Sequence, residues 1–358
     1  MFSLSPKESP KELFGREKET EELARLLSAR RWVALLGPRM VGKTSLIKAT
    51  NSKLERAGIK TIYINLWGIK GTHGLLSALT EGINNHKSLM QKIKATTGNI
   101  DGLTFGSSGI SLSIVKKPMT TTRDLLASIG RQTDECVIEL DEVQELSNIS
   151  GQLLKILANI FNTYRNLTFV FTGSMFGLTK TLLEPDSTSP LYGRSPARMM
   201  LQPFDHQTAI EFLSKGLREC KETVDKQKIG EATEILDGIP GWLTLYGNNI
   251  VVRRLPHQIA LREAVVEAEK IVNDEVEHFL QRRDRTLYIP VLKASANSAR
   301  WREIKTAIET TKGTTINDST ISNTLENLKA AMLITEKDKV YQVTDPMLKA
   351  LLRNAKIN

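Results

Sequence analysis

The sequence is poor in cysteine and in long apolar runs, and each shortage removes a class of protein. Only Cys136 and Cys220 occur in 358 residues, too few for a disulfide framework and not at metal-ligand spacing. Neither has the neighbours of an activated nucleophile. The longest charge-free stretches, residues 166–179 and 238–252, fall short of the roughly 18 apolar residues that a spanning helix needs. Nothing at the N-terminus reads as a basic segment followed by an apolar core. A soluble, cytoplasmic protein with no membrane association is expected. The five histidines, His73, His86, His206, His257 and His278, include no pair at helical ligand spacing, so no histidine metal site is expected.

What remains is ordinary globular composition, 40% hydrophobic and 25% charged, in a chain long enough for two or three domains. The net charge is +9 and the pI about 9.4. That balance suits nucleic acid or an acidic partner and specifies neither.

The element order narrows the fold. A short apolar run, Trp32–Leu36, reads as a buried strand ended by Gly37-Pro38. A helix over 43–57 follows, then a β-branched and aromatic strand at 61–67 and a helical stretch over 72–95. Residues 98–118 read as a hairpin-like insertion. Beyond it come a helix near 122–129, a strand at 136–140, a helix at 149–164 and strands at 167–172 and 197–201. Strands alternating with helices imply an α/β fold with a parallel sheet covered on both faces. From 205 to 285 the period is helical. From 286 it changes to three amphipathic helices, 287–295, 301–309 and 318–330, and two short strands.

Gly37-Pro38-Arg39-Met40-Val41-Gly42-Lys43-Thr44 fits the phosphate-binding loop G-x-x-x-x-G-K-[ST], between a strand and a helix as that loop requires. Its glycines let backbone N–H groups turn in around a polyphosphate, and the helix N-terminus adds partial positive charge. Lys43 would meet the β- and γ-phosphates, Thr44 would offer an oxygen to Mg²⁺, and Ser45 could donate to the α-phosphate. A second carboxylate for the metal is expected at a strand end, and Cys136-Val137-Ile138-Glu139-Leu140-Asp141-Glu142 supplies one. Asp141 would hold Mg²⁺ directly or through water, and Glu142 would polarise the attacking water. Adjacent acids at a strand end also serve as helix N-caps. Glu139 shares the Asp141 face by alternation and receives no role. Thr172 and Ser174, where the next strand ends, are candidates to sense the γ-phosphate or place water.

The order of these motifs resembles the archaeal ATPase family, which groups with the signal-transduction ATPases of the AAA+ superfamily. Phe14-Gly15-Arg16-Glu17, the phosphate loop, Leu140–Leu146 and Thr172-Gly173-Ser174 carry the resemblance. Leu191-Tyr192-Gly193-Arg194, Gly238-Ile239-Pro240 and Asp345-Pro346-Met347-Leu348 extend it over nearly the whole chain. It implies a P-loop core over 1–204 and a helical lid over 205–285, and the helix–helix–helix–two-strand order that follows resembles a winged helix, over 286–358. The family resemblance further implies that Phe14, Gly15 and Arg16 line the adenine, which Pro240 covers from the lid. Arg194 sits where the family often carries an arginine near the phosphates, in cis or toward a neighbouring copy, which implies nucleotide-dependent self-association. ATP or ADP with Mg²⁺ is the expected ligand set.

The winged-helix segment carries eight lysines and three arginines against three aspartates and four glutamates, a net charge of +4. Its third helix holds only Lys329 as a base, opposed by Asp318 and Glu326, and offers Asn317, Ser319, Thr320, Ser322, Asn323 and Thr324, so DNA and a protein partner both stay open. Two functions compete. One is an ATP-hydrolysing molecular switch whose state is reported through the winged helix. The other is a nucleotide-sensitive DNA-binding regulator in which hydrolysis is secondary. Glu142 separates them, because binding alone needs no water-activating carboxylate.

Overall fold

Four consecutive apolar residues before the phosphate loop form strand β1 (Val33–Leu36), buried at every position. The computed structural model describes residues 1–96, 100–106, 109–173, 182–281 and 283–354. In it β1 joins β2 (Lys60–Asn65), β5 (Cys136–Asp141), β6 (Leu167–Gly173) and β7 (Ala197–Met200). The sheet order is β2-β5-β6-β1-β7, with every neighbouring pair parallel. Strands β5 and β6 are buried throughout, as strands covered by helices on both faces must be. Trp32 anchors this core: its ring lies 4.8 Å from Phe169 and 5.1 Å from Phe161, and its indole N–H donates to the Leu167 carbonyl.

Among the described residues the longer α-helices of this part are α1 (Glu17–Ser28), α2 (Lys43–Arg56), α3 (Gly71–Asn84), α4 (Lys87–Thr96), α5 (Pro118–Gln132) and α6 (Ser150–Thr163). The single helix expected over 72–95 is two, broken at Asn85-His86. Asn84 explains the break: its side-chain amide donates to the Ile110 carbonyl and accepts from the Ile110 N–H, each at 2.8 Å. It thereby extends the hairpin of β3 (Leu103–Phe105) and β4 (Ile110–Leu112), the expected insertion. A side chain recruited by a neighbouring backbone favours helix termination.

The chain divides into two compact units, residues 7–36 with 43–200, and residues 1–6 and 37–42 with 201–358. The second holds helices α7 (His206–Glu219), α8 (Lys226–Leu236), α9 (Pro240–Val251) and α10 (His257–Leu280). It ends in a winged helix: α11 (Arg285–Ser295), β8 (Ala299–Arg300), α12 (Trp301–Lys312), α13 (Asp318–Ala330), β9 (Ile334–Lys337) and β10 (Val340–Val343). Strand β10 pairs antiparallel with β9 and with the short β8. Aspartates start four of the unit's helices: Asp205, Asp225, Asp284 and Asp345 each accept a backbone N–H from the first turn, the usual N-cap role. Asp345 does so for α14 (Pro346–Arg353), which gives the Asp-Pro-Met-Leu motif a structural task.

One turn in this unit leaves no room for a side chain. Gly238 has φ +65°, and a Cβ there would lie 2.2 Å from the Phe204 carbonyl oxygen. The Phe204 N–H donates to the Gly238 carbonyl at 2.9 Å, so neither backbone can retreat without losing that bond. Gly238→Ala is expected to lower unfolding free energy by about 2–4 kcal/mol, read by urea denaturation. Gly230→Ala, inside α8 with nothing near its Cβ, should instead gain roughly 0.5–1 kcal/mol. Equal effects from the two would refute the steric account.

Candidate functional site

Three parallel strands and one helix bring hydroxyls and carboxylates together at the strand ends. Thr44, the second residue of α2, donates its hydroxyl to Oδ2 of Asp141 at 2.9 Å. The Tyr63 phenol, from β2, donates to the same oxygen at 2.6 Å. Thr172, from β6 and fully buried, bonds Oδ1 of Asp141 and accepts the Glu142 N–H at 3.0 Å. Asp141 is itself only 4% exposed, and a buried carboxylate requires such donors. Burial and the adjacent Asp141 push the Tyr63 phenol well above its ordinary range, so it stays a proton donor.

Glu142 follows in the left-handed region, φ 63° and ψ 47°. That conformation is uncommon outside glycine and asparagine, and the Thr172 hydroxyl fixes it through the Glu142 N–H. The Glu142 carboxylate accepts from the Gln144 side-chain amide. Ser45 accepts the Lys7 backbone N–H at 3.1 Å, which leaves its own hydroxyl proton to donate elsewhere.

Two residues behind Asp141, Glu139 is fully buried. It accepts from the Asn51 amide at 2.9 Å, while its other oxygen has no hydrogen-bond partner among the described residues. Burial pushes its carboxyl up to about 8, partly offset by Asn51 and reinforced by Asp141. Burial, with Glu139 adding to it, pushes the Cys136 thiol up to about 12, which fits an inert structural cysteine.

The loop residues Gly37–Gly42 fall in the unit of residues 201–358. Met40 has φ 60°, and its carbonyl accepts the Gly241 N–H at 2.9 Å. A Cβ at Gly241 would lie 2.6 Å from that of Met40, so the first turn of α9 lies flush against the loop. Pro240 is the first residue of that helix. Val41 is buried, and Arg39 reaches Glu275 at 3.8 Å. Gly37, Pro38 and Gly42 complete the loop between β1 and Lys43.

The remaining expected residues are placed as follows. Phe14 is half-buried, Gly15 turns the chain at φ 62°, and Arg16 is 6% exposed and paired with Glu19 at 2.9 Å. Burial lowers the Arg16 pKa, with Glu19 opposing it. Arg194 is exposed, its guanidinium 5.7 Å from the Phe161 ring centroid. It makes none of the bonds that tie Asp141, Thr44 and Thr172 together. Ser174 lies outside the described residues. Sequence reasoning missed Tyr63, Asn51 and Gln144. The alternation Thr61, Tyr63, Asn65 put Tyr63 on one strand face, and that was its only sequence signal.

The donor set suits a hard divalent cation. The Thr44 hydroxyl and the Asp141 carboxylate are oxygen donors 2.9 Å apart at the N-terminus of α2, the ligand chemistry that Mg²⁺ accepts beside substrate phosphates.

Parallel sheet, phosphate loop, strand-end carboxylate and winged helix define an AAA+-like P-loop ATPase fold. Residues 13–245 match the ATPase domain found predominantly in Archaea, and the chain belongs to that family. Residues 280–344 match the C-terminal winged helix-turn-helix domain of MCM proteins. The Walker-type ATPase PABY2304 of Pyrococcus abyssi is 31% identical, with a TM-score of 0.78 over 98% of this chain and 99% of that one. The Aeropyrum pernix ORC2 protein, solved as ADPNP-ADP complexes, shares the fold at 14% identity. Its TM-score is 0.63, over 99% of this chain and 97% of that one. No curated protein matches the chain significantly. Among the described residues no helix is long and apolar enough to cross a membrane.

Glu139 offers a pH test. The folded chain keeps it protonated up to about 8, whereas the unfolded chain ionises it near its ordinary 4.5. Its raised value therefore costs stability progressively as pH rises from 4.5 through 8. Glu139→Gln removes that cost, so its Tm advantage over the parent should be near zero at pH 4 and should grow up to pH 8.5. A pH-independent difference in Tm would contradict the buried, neutral carboxyl.

Proposed function

We propose that this chain is a cytoplasmic ATP-binding, Mg²⁺-dependent ATPase that works as a molecular switch. The observation that carries the reading is the junction of Thr44 with Asp141, directly after a phosphate loop and directly before Glu142. Lys43 supplies charge to the β- and γ-phosphates, and the loop N–H groups with the helix N-terminus hold the rest of the polyphosphate. Thr44 and Asp141 are the residues that would hold Mg²⁺. When bound, the ion neutralises charge building up on the phosphate oxygens. Glu142 takes the proton of the attacking water, and its release from Gln144 frees the carboxylate for that role. Thr172 holds Asp141 and the Glu142 backbone in register with one hydroxyl, and Ser174 remains a candidate partner for the γ-phosphate.

Residues 1–204 act in this reading as the ATPase core, 205–285 as the lid and 286–358 as the output module. Phe14, Gly15, Arg16 and Pro240 recognise the adenine, and Arg194 answers to the γ-phosphate in cis or in a second copy. The output partner is DNA or a protein. Within the winged helix Lys305 pairs with Asp318 and Lys329 with Glu326 and Glu336, and Lys312 pairs with Asp284 just before it, all at 2.7–2.8 Å. The wing tip, with Lys337 and Lys339 exposed on either side of Asp338, and the exposed Arg300 and Arg302 then offer the positive charge that would meet an acidic partner.

Three variants test the chemistry. Lys43→Ala should lose most triphosphate affinity. Asp141→Asn should weaken the Mg²⁺ dependence of binding. Glu142→Gln should keep Mg-ATP affinity while slowing turnover by about 100-fold or more, because the amide keeps size and loses basicity. Parental turnover in Glu142→Gln would move the base elsewhere.

The switch has its own test. A ligand shifts a conformational equilibrium only through differential affinity, and the Met40–Gly241 bond makes α9 sensitive to the loop. Amide hydrogen exchange over residues 230–260 and 286–345 should differ among apo, ADP and ATP-analogue states. Identical protection in all three would leave a nucleotide-binding ATPase without a switch.

A further inference from the structure

We propose that Tyr63 is a positioning residue for the divalent-cation site, holding the Asp141 carboxylate in the orientation that the cation meets. The inference rests on reading Asp141 as the cation-facing carboxylate. An ionised carboxylate has about four acceptor positions. Three are taken here, two on Oδ2 by Thr44 and Tyr63 and one on Oδ1 by Thr172. The side chain is thus fixed about its last torsion, and one acceptor position on Oδ1 stays available for a cation or its bound water.

Tyr63 contributes to this from an unusual place. It lies on β2, the edge strand of the sheet, opposite Glu139 in register, two residues short of Asp141. The phenol of a half-buried tyrosine on an edge strand is free to face solvent, as amphipathic side chains commonly do. This one instead reaches forward along the sheet to Asp141. Lys48 holds the ring, its ammonium 5.7 Å from the ring centroid. Lys48 lies one helical turn after Thr44 and pairs with Glu8 at 3.1 Å. The same helix therefore supplies the cation-facing hydroxyl and the clamp on the tyrosine. Groups that orient a metal ligand commonly govern metal affinity by 10–100-fold without touching the metal.

Calorimetric ATP titrations in EDTA and across a Mg²⁺ series, with parent, Tyr63→Phe and Tyr63→His, test this. In EDTA both variants should bind ATP within about twofold of the parent, since no phosphate contact changes. The Mg²⁺ concentration that gives half of the affinity gain should rise about tenfold in Tyr63→Phe. Tyr63→His, which keeps a ring and an N–H donor, should shift it less. A purely steric role would reverse that ranking, because phenylalanine is the closer fit, and reversal overturns the proposal. An unchanged or lowered Mg²⁺ midpoint in folded Tyr63→Phe overturns it too, as does an equal loss of affinity with and without Mg²⁺. If the parent itself gains no affinity from Mg²⁺, the reading of Asp141 fails and the role of Tyr63 falls with it. If the parent gains and Tyr63→Phe gains identically, only Tyr63 is misassigned.

Discussion

A carboxylate buried at the end of a central strand must be matched by donors, and this requirement organises the core. Asp141 recruits one hydroxyl from the helix after the phosphate loop, one from the edge strand and one from the strand on its other side. Those three elements are far apart in sequence, yet a single side chain bonds all of them. The site is therefore a condition of the fold's polar accounting as much as an addition to it. Truncating any of the three hydroxyls leaves an acceptor less well satisfied in a poorly hydrated place, at roughly 1–3 kcal/mol.

Glu139 shows the same strand face under the opposite balance. It receives one amide from Asn51, its other oxygen has no partner among the described residues, and burial raises its pKa. Two acids of one strand, two residues apart, thus meet different environments: Asp141 at the strand's open end among hydroxyls, Glu139 in the body of the sheet. A neutral carboxyl in that position spares Asp141 a second buried negative charge close by.

How much was legible in the sequence follows from how local each signal is. The phosphate loop and the acids after Leu140 are contiguous, so residue types and spacing single out Lys43, Thr44, Asp141 and Glu142, and the fold brings Thr44 to Asp141. The all-apolar β1 was legible for the same reason. Tyr63 and Asn51 were not, because their bonds to Asp141 and Glu139 cross 78 and 88 residues and depend on a strand register that no single segment encodes. The break between α3 and α4 was hidden likewise: the Asn84 side chain is claimed by a hairpin 26 residues on. The short strand β8 has too few residues to carry any periodic signal.

The phosphate loop is also a structural part of the C-terminal helical unit. Its Met40 carbonyl receives the Gly241 N–H, and the first turn of α9 fits there only because position 241 lacks a side chain. Farther along α9, Asn248 donates to the Phe2 carbonyl at 2.9 Å, and the Phe2 ring is buried against Phe212 of α7. The helix is therefore held at its start by the loop and near its end by the segment of residues 1–6. A loop peptide reoriented around a phosphate must keep or break the Met40–Gly241 bond, and it has no slack at Gly241 in which to do neither. In the switch proposed above, this bond is the contact through which α9 would report the state of the loop.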